Sequence, residues 1–222
     1  MTLSVPVPLA DFWDRVPLAQ GSTFELDEAM EIDRTAGGIV LPAAIGARLW
    51  SGEVRFDVSF RAERARPAAI LTALRRPGMP FFAYDRRRPY PLADPDGSAL
   101  GAATPVLAGI DSADRSRVAL SGLPAGYVLS AGDLVGWSYG SAPVRYTLHE
   151  LAEDATADGA GGTGDVSIAP FWPTGTASGL AVTLIRPAIV AVYDPGTFQP
   201  GQGRAGGMET GRGFRFRQTL EY

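Results

Sequence analysis

Apolar and polar residues alternate along much of the first third of the chain, the pattern of strands that bury one face. In "STFELDEAMEI" (22–32), Phe24 and Leu26 share one side, and after a slip at residues 28–29 so do Met30 and Ile32. "DRTAGGIVL" supplies a Gly-Gly turn before residues 39–41, and "LWSGEVRFDVSF" resumes the alternation at Val54, Phe56, Val58 and Phe60. The spacing then changes. In "RPAAILTALRRPG", Pro67 stands where a first helical turn tolerates it, Ile70, Leu71 and Leu74 form one apolar face, and Arg75 and Arg76 suit the carboxyl end. Pro77 and Gly78 stop this helix, and "MPFFAYD" returns to strand.

From Pro105 onward short β runs recur: "PVLAGI", "SRVAL", "DLVGWSY", "VRYTLHEL", "DVSIAP", "LAVTLI" and "AIVAVY". Turn clusters such as "GLPAG", "GSAP" and "DGAGGTG" separate them, which predicts a small sandwich or barrel. The closing "GFRFRQTLEY" sets Phe214, Phe216 and Gln218 against Arg215 and Arg217, a strand in need of a sheet. A lone exposed strand invites aggregation, so this one is expected to complete the sheet begun near residue 24.

Composition narrows the function classes. The 222 residues carry 24 acids against 20 basic residues, all arginine, for a net charge of −4. No global field therefore draws the chain to nucleic acid or anionic lipid. Without cysteine there is no disulfide, thiolate nucleophile or thiolate metal site. The amino-terminal stretch lacks a basic start followed by an apolar core, so no signal peptide is expected. Residues 166–185 carry no charge, but Pro170, Pro173, Gly175 and Gly179 interrupt them, so two short strands are expected there rather than a membrane helix.

Candidate chemistry is sparse. "AYDRRRPYPLADPDGS" (83–98) offers three readings. Asp94, Asp96 and Gly97 open like a calcium loop, but Pro105 stands where the closing glutamate belongs. Arg86, Arg87 and Arg88 with Tyr84 and Tyr90 could hold phosphates and bases, but acids flank them. The third reading pairs the arginines with those acids at a domain or subunit seam, and it is the expected one. His149 sits in a strand pattern with no G-x-S-x-G elbow to serve. The glycine runs lack the lysine or following helix of a phosphate loop. Glu150, Glu153, Asp154 and Asp158 are the acids available for glycoside cleavage. No catalytic set, metal site or cofactor is expected.

The order of features resembles a known family. "LWSGEV", the helix "PAAILTALRR" and "FFAYDRRRPYPLADPDGS" resemble the amino-terminal region of distal tail proteins of long-tailed bacteriophages and gene transfer agents. "LPAGYVLSAGDLVGWSY", "VRYTLHELAEDATADGAG" and "VSIAPFWPTG" through "LAVTLIRPAIVAVY" resemble a small barrel module of tail-tip proteins. The resemblance implies a mainly β fold: a β-sandwich domain of residues 1–93 and 186–222, with one short helix and closed by the C-terminal strands. An OB-like β-barrel of residues 94–185 would be inserted in it. It also implies a non-enzymatic hexameric ring at the distal end of the virion tail, assembled in the host cytoplasm. Its partners would be copies of itself and the tail tube and hub proteins, with tape-measure and receptor-binding proteins as further candidates, and with neither nucleic-acid binding nor membrane insertion. Arg86, Arg87, Arg88, Trp13, Trp50, Phe214 and Phe216 are then the candidate subunit or domain contacts. The alternative, a carbohydrate-binding module, would use Trp137, Tyr139, Phe171 and Trp172 as stacking faces for a cell-surface glycan.

Overall fold

The computed structural model describes residues 3–110 and 113–221. The chain is mainly β, with 35% strand and 9% helix. Its first elements are β1 (Glu25–Leu26), β2 (Met30–Arg34), β3 (Val40–Ala44), β4 (Trp50–Arg55), β5 (Ser59–Phe60) and α1 (Arg61–Leu74). A middle series follows: β6 (Phe81–Ala83), β7 (Val106–Ile110), β8 (Arg117–Ser121), β9 (Val128–Leu129) and β10 (Leu134–Tyr139). It continues through β11 (Arg145–Leu151), β12 (Ala155–Thr156), β13 (Val166–Ala169) and β14 (Val182–Thr183). The last strands are β15 (Ile189–Tyr193), β16 (Gln202–Gly203), β17 (Met208–Thr210) and β18 (Gly213–Gln218).

Two compact units emerge. One combines Ala10–Met79 with Ala191–Thr219, and the other consists in the main of Pro80–Val190. Residues 80–93 belong with the second unit for a physical reason. Leu92 N–H donates to Asp133 at 2.7 Å, and Arg88 reaches Glu150 at 2.8 Å, so this stretch is tied to the strands that follow it.

In the discontinuous unit, β18 lies antiparallel to β4, with Phe214 opposite Val54 and Phe216 opposite Gly52. β1 pairs with β4 on its other side, and the end of β15 pairs with β18. The alternation of β18 has a direct cause. Phe214 and Phe216 turn inward, whereas Arg215 and Arg217 turn out to meet Glu53 and Asp194, each at 3.1 Å. Inside, Phe216 packs edge-on to Trp13 (5.3 Å) and beside Phe24 (5.6 Å), and Phe24 meets Trp50 (5.5 Å). A second sheet, in the order β16-β17-β5, leads into α1.

The helix begins earlier than its apolar spacing predicts. It starts at Arg61, so Pro67 lies inside it rather than in its first turn. Glu63 Oε2 accepts the Phe60 N–H at 2.9 Å, which answers one of the groups a helix start leaves open. The turn "RAER" carries no apolar signal, and this capping contact is what sets the boundary. Ile70, Leu71 and Leu74 are buried as their spacing requires.

The other unit is a nearly closed barrel. Six strands run in the order β14-β10-β11-β13-β8-β7. Bonds from Leu107 N–H to Leu180 O (2.9 Å) and from Val182 N–H to Pro105 O (2.8 Å) bring β7 round to the segment leading into β14. Leu107, Leu120, Leu129, Val135, Leu151 and Ile168 fill the interior, and the β9–β12 pair covers one side of that core.

Candidate functional site

The arginine stretch folds as a tight turn after β6, closed by Arg88 N–H on Asp85 O at 3.0 Å. The Asp85 carboxylate is buried and takes four donors: Arg87 N, Nε and Nη2 and Arg88 Nε, each at 3.0 Å. Arg88 Nη1 reaches further, to Glu150 Oε2 at 2.8 Å and to Gly132 O at 3.1 Å. Burial of Asp85 opposes its ionisation, but the Arg87 and Arg88 donors outweigh it and hold the carboxyl below the usual carboxylate range. Burial likewise disfavours the Arg88 charge, and bonds to Glu150 and Asp85 outweigh it. Arg88 thus latches the turn to β11, while Arg87 closes on Asp85 within the turn. Arg86 is half-buried beside them.

The remaining acids hold loops. Asp94, buried, accepts Ala99 N–H (3.0 Å), Leu100 N–H (2.9 Å) and the Tyr127 hydroxyl (3.0 Å). Asp96 accepts both donors of Ser98. Glu153 takes Ser167 N–H at 2.7 Å, Asp154 takes Ala131 N–H at 2.7 Å, and Asp158 takes Ala160 and Gly162 N–H. With Glu150 on Arg88, each acid available for glycoside chemistry is engaged in fixing backbone or a neighbouring side chain. Among the described residues no group of three or more His, Asp or Glu side chains converges as metal ligands do.

His149 lies in the barrel interior on β11, stacked on Trp137 at 4.2 Å. Its Nδ1 stands 2.8 Å from Pro170 O and its Nε2 2.9 Å from Thr147 Oγ1. A carbonyl only accepts, so the neutral ring carries its proton on Nδ1 and takes the Thr147 hydroxyl proton at Nε2. Burial pushes its pKa down to about 4, partly offset by the Pro170 carbonyl.

The proposed stacking residues divide sharply. Trp137, Tyr139 and Trp172 belong to the barrel core, with Trp137 Nε1 donating to Thr176 Oγ1 at 3.3 Å. Stacking on a sugar needs an open ring face, and of the four only Phe171 presents one, at 67% exposure. Trp13, Trp50, Phe214 and Phe216 are likewise core aromatics of the discontinuous unit, each at most 3% exposed. They support the sheet from within and offer no outer surface.

The exposed apolar surface lies elsewhere. Among the described residues β2 and β3 form a two-stranded hairpin that pairs with no other strand, and every residue of 30–48 is exposed. Met30, Ile32, Ile39, Val40, Leu41 and Ile45 stand between 44% and 68% open. The alternation through Met30 and Ile32 predicts a half-buried strand, and the structure corrects it. Ala29 takes a left-handed φ of 41°, so the chain leaves the β1 sheet where the alternation slips. Gly38, at φ 82°, makes the tip, with Thr35 Oγ1 accepting Ile39 N–H at 3.1 Å. Two further open apolar residues, Val58 (50%) and Phe60 (55%), flank the start of α1.

The chain matches no family model and no curated protein. No helix is long and apolar enough to cross a membrane among the described residues.

Proposed function

We propose that this chain is a structural, non-enzymatic component of a phage or phage-like tail tip. Six copies would form a ring at the distal end of the tail, joining the tail tube to the hub and receptor-binding apparatus. The observation that carries the reading is the hairpin of residues 30–45, whose apolar side chains a single copy leaves uncovered. Isolated two-stranded hairpins are marginal in water, and contiguous apolar surface of this kind belongs to protein contacts. The placement of β18 supports the same reading. The last strand completes that unit's sheet, and the barrel residues fall between its two segments in sequence.

The resemblance noted in the sequence supplies the tail-tip context, with the tube, hub and tape-measure proteins as neighbours in the virion. A ring requires a head-to-tail contact between two different patches that closes on itself. Light scattering on the purified chain, with negative-stain microscopy, tests it. Closed rings of six are expected, and a strictly monomeric chain at high concentration would overturn the assignment.

A further inference from the structure

The hairpin needs a partner surface, and the same unit carries one that fits. One face of the hairpin is set by the register: Met30 opposite Ala44, Ile32 opposite Pro42, and Arg34 opposite Val40. Apart from Arg34 that face is wholly apolar. The other face is divided, with Glu31 and Asp33 on β2 and Leu41 and Ala43 on β3. Acids also gather at its base, where Glu25, Asp27 and Glu28 are exposed.

The outer side of α1 has the opposite character. Ala62, Ala65, Ala69 and Thr72 are exposed at helical spacing and make a smooth strip, with Arg76 at one end and Arg61 at the other. Phe60 and Val58, which precede Arg61 in the chain, are open apolar residues as well. Neither Arg61 nor Arg76 has an ion-pair partner among the described residues. The dimensions agree as well: five-residue strands run about 17 Å, and a 14-residue helix about 21 Å.

We infer that the hairpin of residues 30–45 in one copy lies along the exposed side of α1 in the next copy. Met30, Ile32, Val40 and Pro42 on the hairpin's apolar face cover the alanine strip and Phe60, and the acids at the hairpin base, Glu25, Asp27 and Glu28, meet the arginine at one end of the strip. This deepens the ring reading and rests on it. The contact is heterologous, since hairpin and helix strip are different patches, and repetition carries it from copy to copy. Met30, Ile32 and Val40, each about half open, with exposed Pro42 and Ala44, give that face a few hundred Å² of apolar surface, part of the roughly 800 Å² that each partner gives to a standard interface. Opposite charge draws the acidic base of the hairpin to an end of the strip, and small side chains on α1 allow the flat hairpin to approach closely.

The test compares the full chain with Ile32→Glu/Val40→Glu, with Ala65→Asp, and with a cysteine pair, Ile32→Cys and Ala65→Cys. All substituted positions are exposed, so far-UV circular dichroism and melting temperature should match the parent. The parent is expected to assemble, and the first two variants to run as monomers with at least tenfold weaker association. The native chain has no cysteine, so any disulfide reports the designed pair alone. Mixing single Ile32→Cys and Ala65→Cys chains under mild oxidation is expected to give the mixed dimer well above either self-dimer. If the parent assembles while both acidic variants assemble equally well and no mixed disulfide forms, the hairpin–helix contact is wrong and the ring reading stands. A monomeric parent would overturn both.

Discussion

The ring of Phe216 occupies the space a side chain on Gly52 would need. A Cβ at Gly52 would fall 2.7 Å from Phe216 Cζ and 2.2 Å from the Thr23 carbonyl oxygen. These residues lie opposite each other across β4 and β18, so the absence of a side chain in mid-strand is what lets the last strand seat its aromatic. The requirement is space, and the Thr23 backbone together with the packed Phe216 ring leaves little room to yield. Gly52→Ala is expected to destabilise the discontinuous unit by about 3 kcal/mol through overpacking. Urea unfolding followed by tryptophan fluorescence checks it, since Trp13 packs on the same ring. A variant as stable as the parent would mean that Phe216 does not sit in this core.

Asp85 is the point through which the arginine turn holds the barrel. Asp85→Asn removes a buried charge that Arg87 and Arg88 face, and leaves donors opposed to an amide. The expected cost is about 3 kcal/mol, in the range for breaking one side of a buried ion pair. Arg88→Lys should also weaken the barrel, because an ammonium cannot span Asp85, Glu150 and Gly132 as the planar guanidinium does. Because the Asp85 carboxyl is held below its ordinary range, its contribution is present above the unfolded value and is lost as pH falls through the folded one. Equilibrium unfolding of both variants at neutral pH checks the magnitudes.

Phe171 and Trp172 are neighbours in sequence with opposite roles. Trp172 is 7% exposed, covered by the Arg115 guanidinium 5.2 Å over its ring, while Arg115 Nε donates to its carbonyl at 2.9 Å. Trp172→Ala is expected to cost about 3–5 kcal/mol, and Phe171→Ser to stay within about 0.5 kcal/mol. Thermal melts of the two variants separate the roles.

These contrasts show what the residue pattern reveals and where it stops. The inward phenylalanines and outward arginines of β18 are readable because strand period and charge point the same way. The barrel strands are readable because turn residues bound each one. The hairpin of residues 30–45 was not, since Met30 and Ile32 alternate as buried residues do. Whether a second layer covers them is decided elsewhere in the chain. The visible hint was the slip at residues 28–29, where Ala29 turns left-handed. Aromatic side chains mislead in the same way: Trp137 and Phe171 carry equal stacking potential in sequence, and only packing assigns one to the core. Asp85 with Arg88 is a local pair, but Glu150, their third member, comes from β11 and no spacing rule reaches it.

His149 makes the barrel sensitive to acid. Folded, the ring is neutral, with a pKa lowered to about 4 from an ordinary 6.5. Between those values the unfolded chain binds a proton that the native barrel refuses. Stability from this group is therefore complete above pH 6.5, declines as pH falls toward 4, and changes no further below that. The full difference corresponds to about 3 kcal/mol. His149→Gln keeps a ring-sized polar group without a titrating nitrogen, at some cost to the stack on Trp137. It should be less stable than the parent at pH 8 and should lose the slope between pH 6.5 and 4 that the histidine adds. Urea unfolding midpoints of both chains across that range decide the matter: parallel curves would show that His149 is not the group responsible.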